Sequence, residues 1–172
     1  MDFIIKKATI KDIDEIVKII DFVLSNDFSA YKDKTILAYR KNVYTKKYFQ
    51  EFLTDKKNVA FGAYHQNKLI GYIGLKPELG GVIFIDWLVV NKDYRNLGIG
   101  TKLLQCCEKW ALENKFHYLF LGTIMERKVE FYKKHGFRIL GTHENGWFGE
   151  NNIVMSKNLR DKPFEEIFEI KN

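Results

Sequence analysis

Apolar positions along the chain change their period several times, and each change marks an element. Phe3 to Lys7 alternates and predicts a first strand. Ile10, Ile13, Val17, Ile20 and Leu24 then recur at helical spacing, with Thr9 as N-cap and Asp12 three residues on, so residues 10–24 read as an amphipathic helix. After a break at 26–29, a second helical stretch is expected over about residues 35–53, with a less clean face of Lys, Tyr and Phe. From Asn58 the pattern turns to strands: V-A-F-G-A-Y and L-I-G-Y-I-G-L flank H-Q-N-K, a hairpin with Asn67 and Lys68 near its tip. Pro77 to Gly81 makes a further turn. Val82 to Val90 is then a nearly unbroken apolar run, interrupted only by Asp86, which suits a strand covered on both faces.

The second half alternates helix and strand. Leu103, Leu104, Cys107, Trp110 and Ala111 share one helical face up to about Asn114, and His117 to Leu121 follows as a strand. That strand is expected to run parallel to Val82–Val90 through a right-handed crossover. Glu126 to His135 reads as a short helix stopped by Gly136. Phe137 to Gly141 and Asn151 to Lys157 are two more strands, joined by a loop holding Trp147 and Phe148. The order predicts an α/β protein with a mixed sheet and helices on its faces. With two prolines, no long polar tract and no internal repeat, residues 1–172 are expected to form a single domain.

The net charge of +6, from 28 Lys plus Arg against 22 Asp plus Glu, is scattered rather than massed, which reads as a solvated surface and not a nucleic-acid face. No 18-residue apolar run offers a membrane helix, and M-D-F-I-I-K-K lacks the order of a signal peptide, so a cytoplasmic location is expected. Cys106 and Cys107 are adjacent in a helix, where a bond between them would be strained; no disulfide framework and no zinc pattern is present, and no metal is expected.

Two features carry chemistry. R-N-L-G-I-G, Arg95 to Gly100, lies between a strand and a helix, where backbone N–H groups and the helix dipole point at an anion. It is neither a P-loop, since G-K-[ST] is absent, nor the three-glycine dinucleotide fingerprint. Two readings stand: a tight turn that uses glycine for positive φ, or a cradle in which Gly98 and Gly100 admit a pyrophosphate, with Arg95 and Asn96 as donors. Asp86 shares a strand face with Leu88 and Val90. A carboxylate there is costly unless it is paired or faces a cleft, so it either pairs with a nearby Lys or caps a loop, or serves as a base or amine-binding group. His65 and His143 read as solvated, His117 begins a strand, and His135 suits a helix C-terminus.

R-N-L-G-I-G behind I-D-W-L-V-V, followed about thirty residues later by E-F-Y-K-K-H-G-F, resembles the GNAT superfamily of acetyl-CoA-dependent N-acetyltransferases. The first pattern is similar to the family's Arg/Gln-x-x-Gly-x-Gly/Ala signature and the second, Phe131 to Phe137, to its Phe-Tyr-x-Lys-x-Gly-Phe signature. The resemblance covers Asn58 to Leu159, and the N-terminal third by element order only. It implies the GNAT fold, a mostly antiparallel sheet with one splayed parallel pair. It also implies that Arg95, Asn96, Leu97, Gly98, Ile99, Gly100 and Thr101 hold the pyrophosphate of acetyl-CoA. Leu88, Val89 and Val90 would bind pantetheine through the backbone, with the Val90 N–H as oxyanion donor. Tyr132 would protonate the departing thiolate, and Lys134 would reach the 3′-phosphate. Asp86 stands two residues beyond the family's glutamate, whose place Phe84 takes, and is the candidate base. Trp147, with Phe148, would wall the acceptor pocket, and Asp27, Phe28 and Tyr31 form a second candidate wall in which Asp27 suits a cationic amine. Met125 replaces an asparagine common in the family and Lys92 a proline.

The expected activity is direct transfer of an acetyl group from acetyl-CoA to a primary amine on a polyamine, another small molecule or a peptide. The expected partners are acetyl-CoA and that acceptor, without membrane or nucleic acid, in a monomer or homodimer. The rivals are a non-catalytic acyl-CoA-binding or regulatory module and a basic nucleic-acid-binding domain, which salt-dependent binding to RNA or DNA would support.

Overall fold

The computed structural model describes residues 1–27, 38, 41–124 and 126–165. Phe28, Tyr31, Met125 and most of the expected helical stretch 35–40 lie outside them. The described elements are β1 (Ile4–Lys7), a 3-10 turn (Ile10–Asp12) leading into α1 (Ile13–Asn26), α2 (Lys46–Thr54), β2 (Val59–His65), β3 (Lys68–Glu78) and β4 (Val82–Val90). A 3-10 turn (Lys92–Tyr94), α3 (Ile99–Glu113), β5 (Tyr118–Thr123), α4 (Glu126–Lys134), β6 (Arg138–His143), a 3-10 turn (Trp147–Gly149) and β7 (Asn152–Asn158) complete them. The strands form a mixed seven-stranded sheet in the order β1-β2-β3-β4-β5-β7-β6. The chain divides into two compact units, Met1–Leu75 with Trp87–Cys106, and Lys76–Asp86 with Cys107–Asn172.

In the first unit, β1, β2 and β3 are antiparallel, with Ile4 opposite Tyr64 and Val59 opposite Leu75. Gln66 and Asn67 take φ of 48° and 64°, the mirror-image turn that matches strand twist in a two-residue hairpin. The backbone N–H of Thr9 donates to Asp12 Oδ2 at 2.7 Å, fixing the entry to α1. Thr45 Oγ1 accepts from the Tyr48 N–H and starts α2, after residues 41–43 have already been helical and 44–45 have broken. The expected single stretch to residue 53 is therefore interrupted, because the cap at Thr45 needs an extended backbone, φ −93° and ψ 174°. Ile16, Ile20 and Leu24 of α1 bury fully in a cluster with Phe49, Phe52, Leu69, Tyr72 and Trp87. Each such side chain contributes roughly 1.5–3 kcal/mol by leaving water.

In the second unit, Val82–Phe84 of β4 runs parallel to Tyr118–Phe120 of β5. β7 is antiparallel to both β5 and β6. Gly136 ends α4 with φ 82°, and the Phe137 N–H returns to the Tyr132 carbonyl at 3.1 Å.

β4 departs from the expectation of cover on both faces. Ile83, Ile85, Trp87 and Val89 are buried, whereas Phe84, Asp86, Leu88 and Val90 alternate with them on a face that is only partly covered. The run is apolar throughout because one face feeds the core and the other presents apolar residues around a single carboxylate. Pro77, expected in a turn, falls inside β3, and the turn narrows to Leu79–Gly81 with both glycines at φ 77°.

Candidate active site

The glycine loop belongs to the first unit. The Asn91 N–H is tied to the Ile70 carbonyl at 2.9 Å, and the Asn91 side chain accepts from the Asp93 N–H at 3.1 Å, so the chain leaves β4 in a fixed direction. Asn96 and Gly98 then take φ of 63° and 77°. A Cβ on Gly98 would meet nothing within 4 Å, so the loop faces open space there. The first helical bond of α3 runs from the Lys102 N–H to the Gly98 carbonyl at 3.0 Å. The N–H groups of Ile99, Gly100 and Thr101 therefore sit in the first turn, where a helix supplies no acceptor and its dipole is positive. Ile99 is buried and Leu97 half-exposed, which anchors one side of the loop and leaves the other to solvent. Room beyond a left-handed glycine and a ring of helix N–H groups fits a pyrophosphate.

Gly71 of β3, a residue the pattern of strands does not single out, helps to set this geometry. A Cβ there would approach Ile99, Leu103 and the Val89 carbonyl at 3.0–3.3 Å, so the start of α3 lies close against the strand because position 71 has no side chain.

Arg95 and Asp27, expected to serve two different ligands, meet each other. The guanidinium donates from Nη1 to Asp27 Oδ1 at 3.1 Å and from Nη2 to Oδ2 at 2.7 Å, and Nε donates to the Val90 carbonyl at 3.3 Å. Asp27 follows the last turn of α1, where the helix dipole opposes a carboxylate, and its side chain is only 8% exposed. A bidentate arginine offsets both costs. The pair fastens the glycine loop to the end of α1.

The second unit holds Asp86. Its side chain is 6% exposed, and Lys76 Nζ, on the last turnward residues of β3, donates to Oδ1 at 2.8 Å. Of the two readings left open by the sequence, the pairing with a nearby lysine is present. Lys76 belongs to no motif; its only sequence signal is that it is the first charge after the apolar run of β3.

Phe84, two residues before Asp86 on the same strand face, packs against Phe120 at 5.1 Å and Trp147 at 5.7 Å between ring centroids. The Trp147 indole also meets His143 edge-on at 5.4 Å and rests on Gly122, where any Cβ would collide with it. Asn152, itself buried, donates to the Glu150 carbonyl at 2.7 Å and holds the Trp147–Glu150 loop in place. Gly122 and Asn152 were invisible in the sequence because their roles are to leave room and to bond backbone. The result is a half-exposed aromatic wall formed by Phe84, Phe120 and Trp147.

Tyr132, in the same unit, is buried on α4 between the rings of Phe131 and Phe137. Burial, and secondarily the charge of Cys107, push its phenol well above the ordinary tyrosine value. The hydroxyl therefore keeps its proton at neutral pH and can act as a donor. Lys134, two residues on, is exposed. Among the described residues no group of three His, Cys, Asp or Glu side chains could hold a metal, and no helix is long and apolar enough to cross a membrane.

Streptothricin acetyltransferase A of Bacillus subtilis (strain 168) is 35% identical over 115 residues, which is 60% of this chain and 66% of that protein, just under two thirds of its length. Streptothricin acetyltransferase of Escherichia coli is 25% identical over 130 residues, covering 72% of this chain and 70% of the relative. The crystal structure of PaiA N-acetyltransferase from Thermoplasma acidophilum in complex with coenzyme A superposes with a TM-score of 0.81 over 92% of this chain and 99% of that one; at 20% identity it speaks for the fold. The model of the acetyltransferase (GNAT) family matches residues 24–137, a span that holds both signature motifs and the loop described above, and the chain belongs to that family.

Proposed function

We propose that the chain is an acetyl-CoA-dependent N-acetyltransferase whose acceptor is a primary amine on a small cationic molecule. The observation that carries the donor half is the open, left-handed Gly98 at the start of α3, which offers amides and room for a pyrophosphate. The acceptor half is supported by the aromatic wall of Phe84 and Trp147, with Phe84 on the same strand face as Asp86, a carboxylate that already holds one ammonium, that of Lys76. The two streptothricin acetyltransferases among the relatives make streptothricin the first acceptor to test.

When bound, acetyl-CoA supplies a thioester, an acyl carbon open to attack by a neutral amine. In this reading Asn96, Gly98, Gly100 and Thr101 hold the pyrophosphate through backbone N–H groups, and the backbone of Leu88, Val89 and Val90 aligns the pantetheine arm. Lys134 adds positive charge for the 3′-phosphate. Asp86 takes the proton that the acceptor must lose before it can attack. Tyr132, protonated at neutral pH, passes its proton to the thiolate as that group departs and is reprotonated by the proton the new ammonium releases. Arg95 and Asp27 act on the ligands only through the loop they fasten.

The test is release of free thiol from acetyl-CoA with streptothricin, spermidine, kanamycin and free lysine as acceptors, alongside calorimetry with acetyl-CoA. Turnover with one or more of these amines supports the reading. Tight binding of acetyl-CoA with no thiol release across the panel would favour a non-catalytic acyl-CoA-binding module.

A further inference from the structure

We propose that Lys76 is a site of self-acetylation. The inference rests on the acetyltransferase reading above. If Asp86 is the group that takes the acceptor's proton, the amine now held against it is the chain's own. Lys76 Nζ lies 2.8 Å from Asp86 Oδ1, the distance at which any primary ammonium would dock on that carboxylate. The Lys76 side chain is 33% exposed and that of Asp86 6%, so the lysine is the more open member of the pair. Phe84 places the aromatic wall two residues away on the same strand face. Lys76 thus makes the contact that the proposed acceptor would make.

In the step, the Lys76 ammonium passes one proton to Asp86, which returns it to solvent. The Nζ lone pair forms a bond to the acyl carbon as the carbon–sulfur bond breaks, and the second Nζ proton ends on sulfur, giving an amide and a free thiol. Nothing is oxidised or reduced. Position 76 changes from an ammonium to a neutral amide, and Asp86 loses that counter-charge.

A second lysine supplies an internal control. Lys157 Nζ pairs with Glu108 Oε1 at 2.7 Å and its side chain is 22% exposed, so it has the same ion-pair chemistry without a place in the candidate site. The experiment incubates the full chain with acetyl-CoA and no added amine, and follows acetylation of each lysine by peptide mass spectrometry. Calorimetry with acetyl-CoA is run on the same preparation. Lys76 is expected to be modified about 100-fold faster than Lys157, the scale of general-base catalysis. Asp86→Asn should remove the excess and leave Lys157 unchanged, and if that variant does not fold, the ratio in the unaltered chain decides. With acetyl-CoA binding intact, modification of Lys76 no faster than Lys157 would overturn the proposal. Absence of acetyl-CoA binding would overturn the acetyltransferase reading itself, and this inference with it.

Discussion

Arg95 grips both oxygens of Asp27, at 3.1 and 2.7 Å, and with its third nitrogen holds the Val90 carbonyl. The pair joins residues 68 apart in sequence, one at the end of α1 and one in the glycine loop. Asp27→Asn keeps the shape and removes the charge, leaving a guanidinium with a side chain only 29% exposed beside a weaker acceptor. The expected cost is about 1–3 kcal/mol. A melting temperature lower by roughly 2–12 °C would follow for a chain of this size. Acetyl-CoA affinity should fall as the loop loosens. If stability and acetyl-CoA affinity are unchanged while KM for the amine rises, Asp27 belongs to the acceptor and not to the loop.

Gly98 separates the conformational role of a glycine from its role in making room. Its φ of 77° costs an L-residue roughly 1–2 kcal/mol, and more for a branched one. A side chain there would project into the open space assigned to the pyrophosphate. Gly98→Ala should lower acetyl-CoA affinity about tenfold and Gly98→Val further, by calorimetry, with little change in the far-UV circular dichroism. Equal affinities in all three proteins would mean that the phosphate binds elsewhere.

Much of this architecture could be read from the chain, for identifiable reasons. β4 falls at Val82–Val90 as expected, because a nine-residue apolar run ended by turn residues leaves little freedom in its bounds. The hairpin and α1 were legible from periods of two and 3.6. The partners of the charged residues were not. Asp86 meets Lys76 ten residues away and Asp27 meets Arg95 sixty-eight away, separations at which periodicity is silent. Nor does sequence show why Gly71 and Gly122 are glycines, since the atoms that exclude a Cβ come from distant segments. The half-open face of β4 was hidden for another reason: its residues are as apolar as those of the buried face.

Gly122 and Trp147 give a test of the aromatic wall. The indole lies on the bare backbone of Gly122, so Gly122→Ala must displace it from its present packing, which includes Phe84. The near-ultraviolet circular dichroism should change, and KM for the amine acceptor should rise several-fold while acetyl-CoA affinity holds. Trp147→Ala should have the same kinetic effect without requiring the backbone to move. If both variants keep the KM of the unaltered chain, Trp147 lies outside the acceptor's path.

Tyr132→Phe removes one oxygen and keeps the ring that packs against Phe131 and Phe137. As a proton donor the phenol is expected to contribute about 100-fold to kcat, so kcat should fall by that factor with acetyl-CoA affinity nearly unchanged. Unaltered kcat would remove Tyr132 from the reaction. The same residue leaves a mark on stability at high pH. Burial raises the phenol's pKa in the folded chain above its ordinary 10.0. The unfolded chain therefore loses this proton first as pH rises, so above about pH 10 the folded state binds more protons and stability falls, by up to about 1.4 kcal/mol per pH unit. Below pH 10 both states hold the proton and the residue adds no pH dependence. Tyr132→Phe should accordingly match the unaltered chain in pH dependence up to about 10 and lose stability less steeply beyond it, as measured by urea denaturation at each pH. Parallel curves above pH 10 would show that the phenol titrates as freely in the folded chain as in the unfolded one, and the argument that burial keeps it protonated would fail.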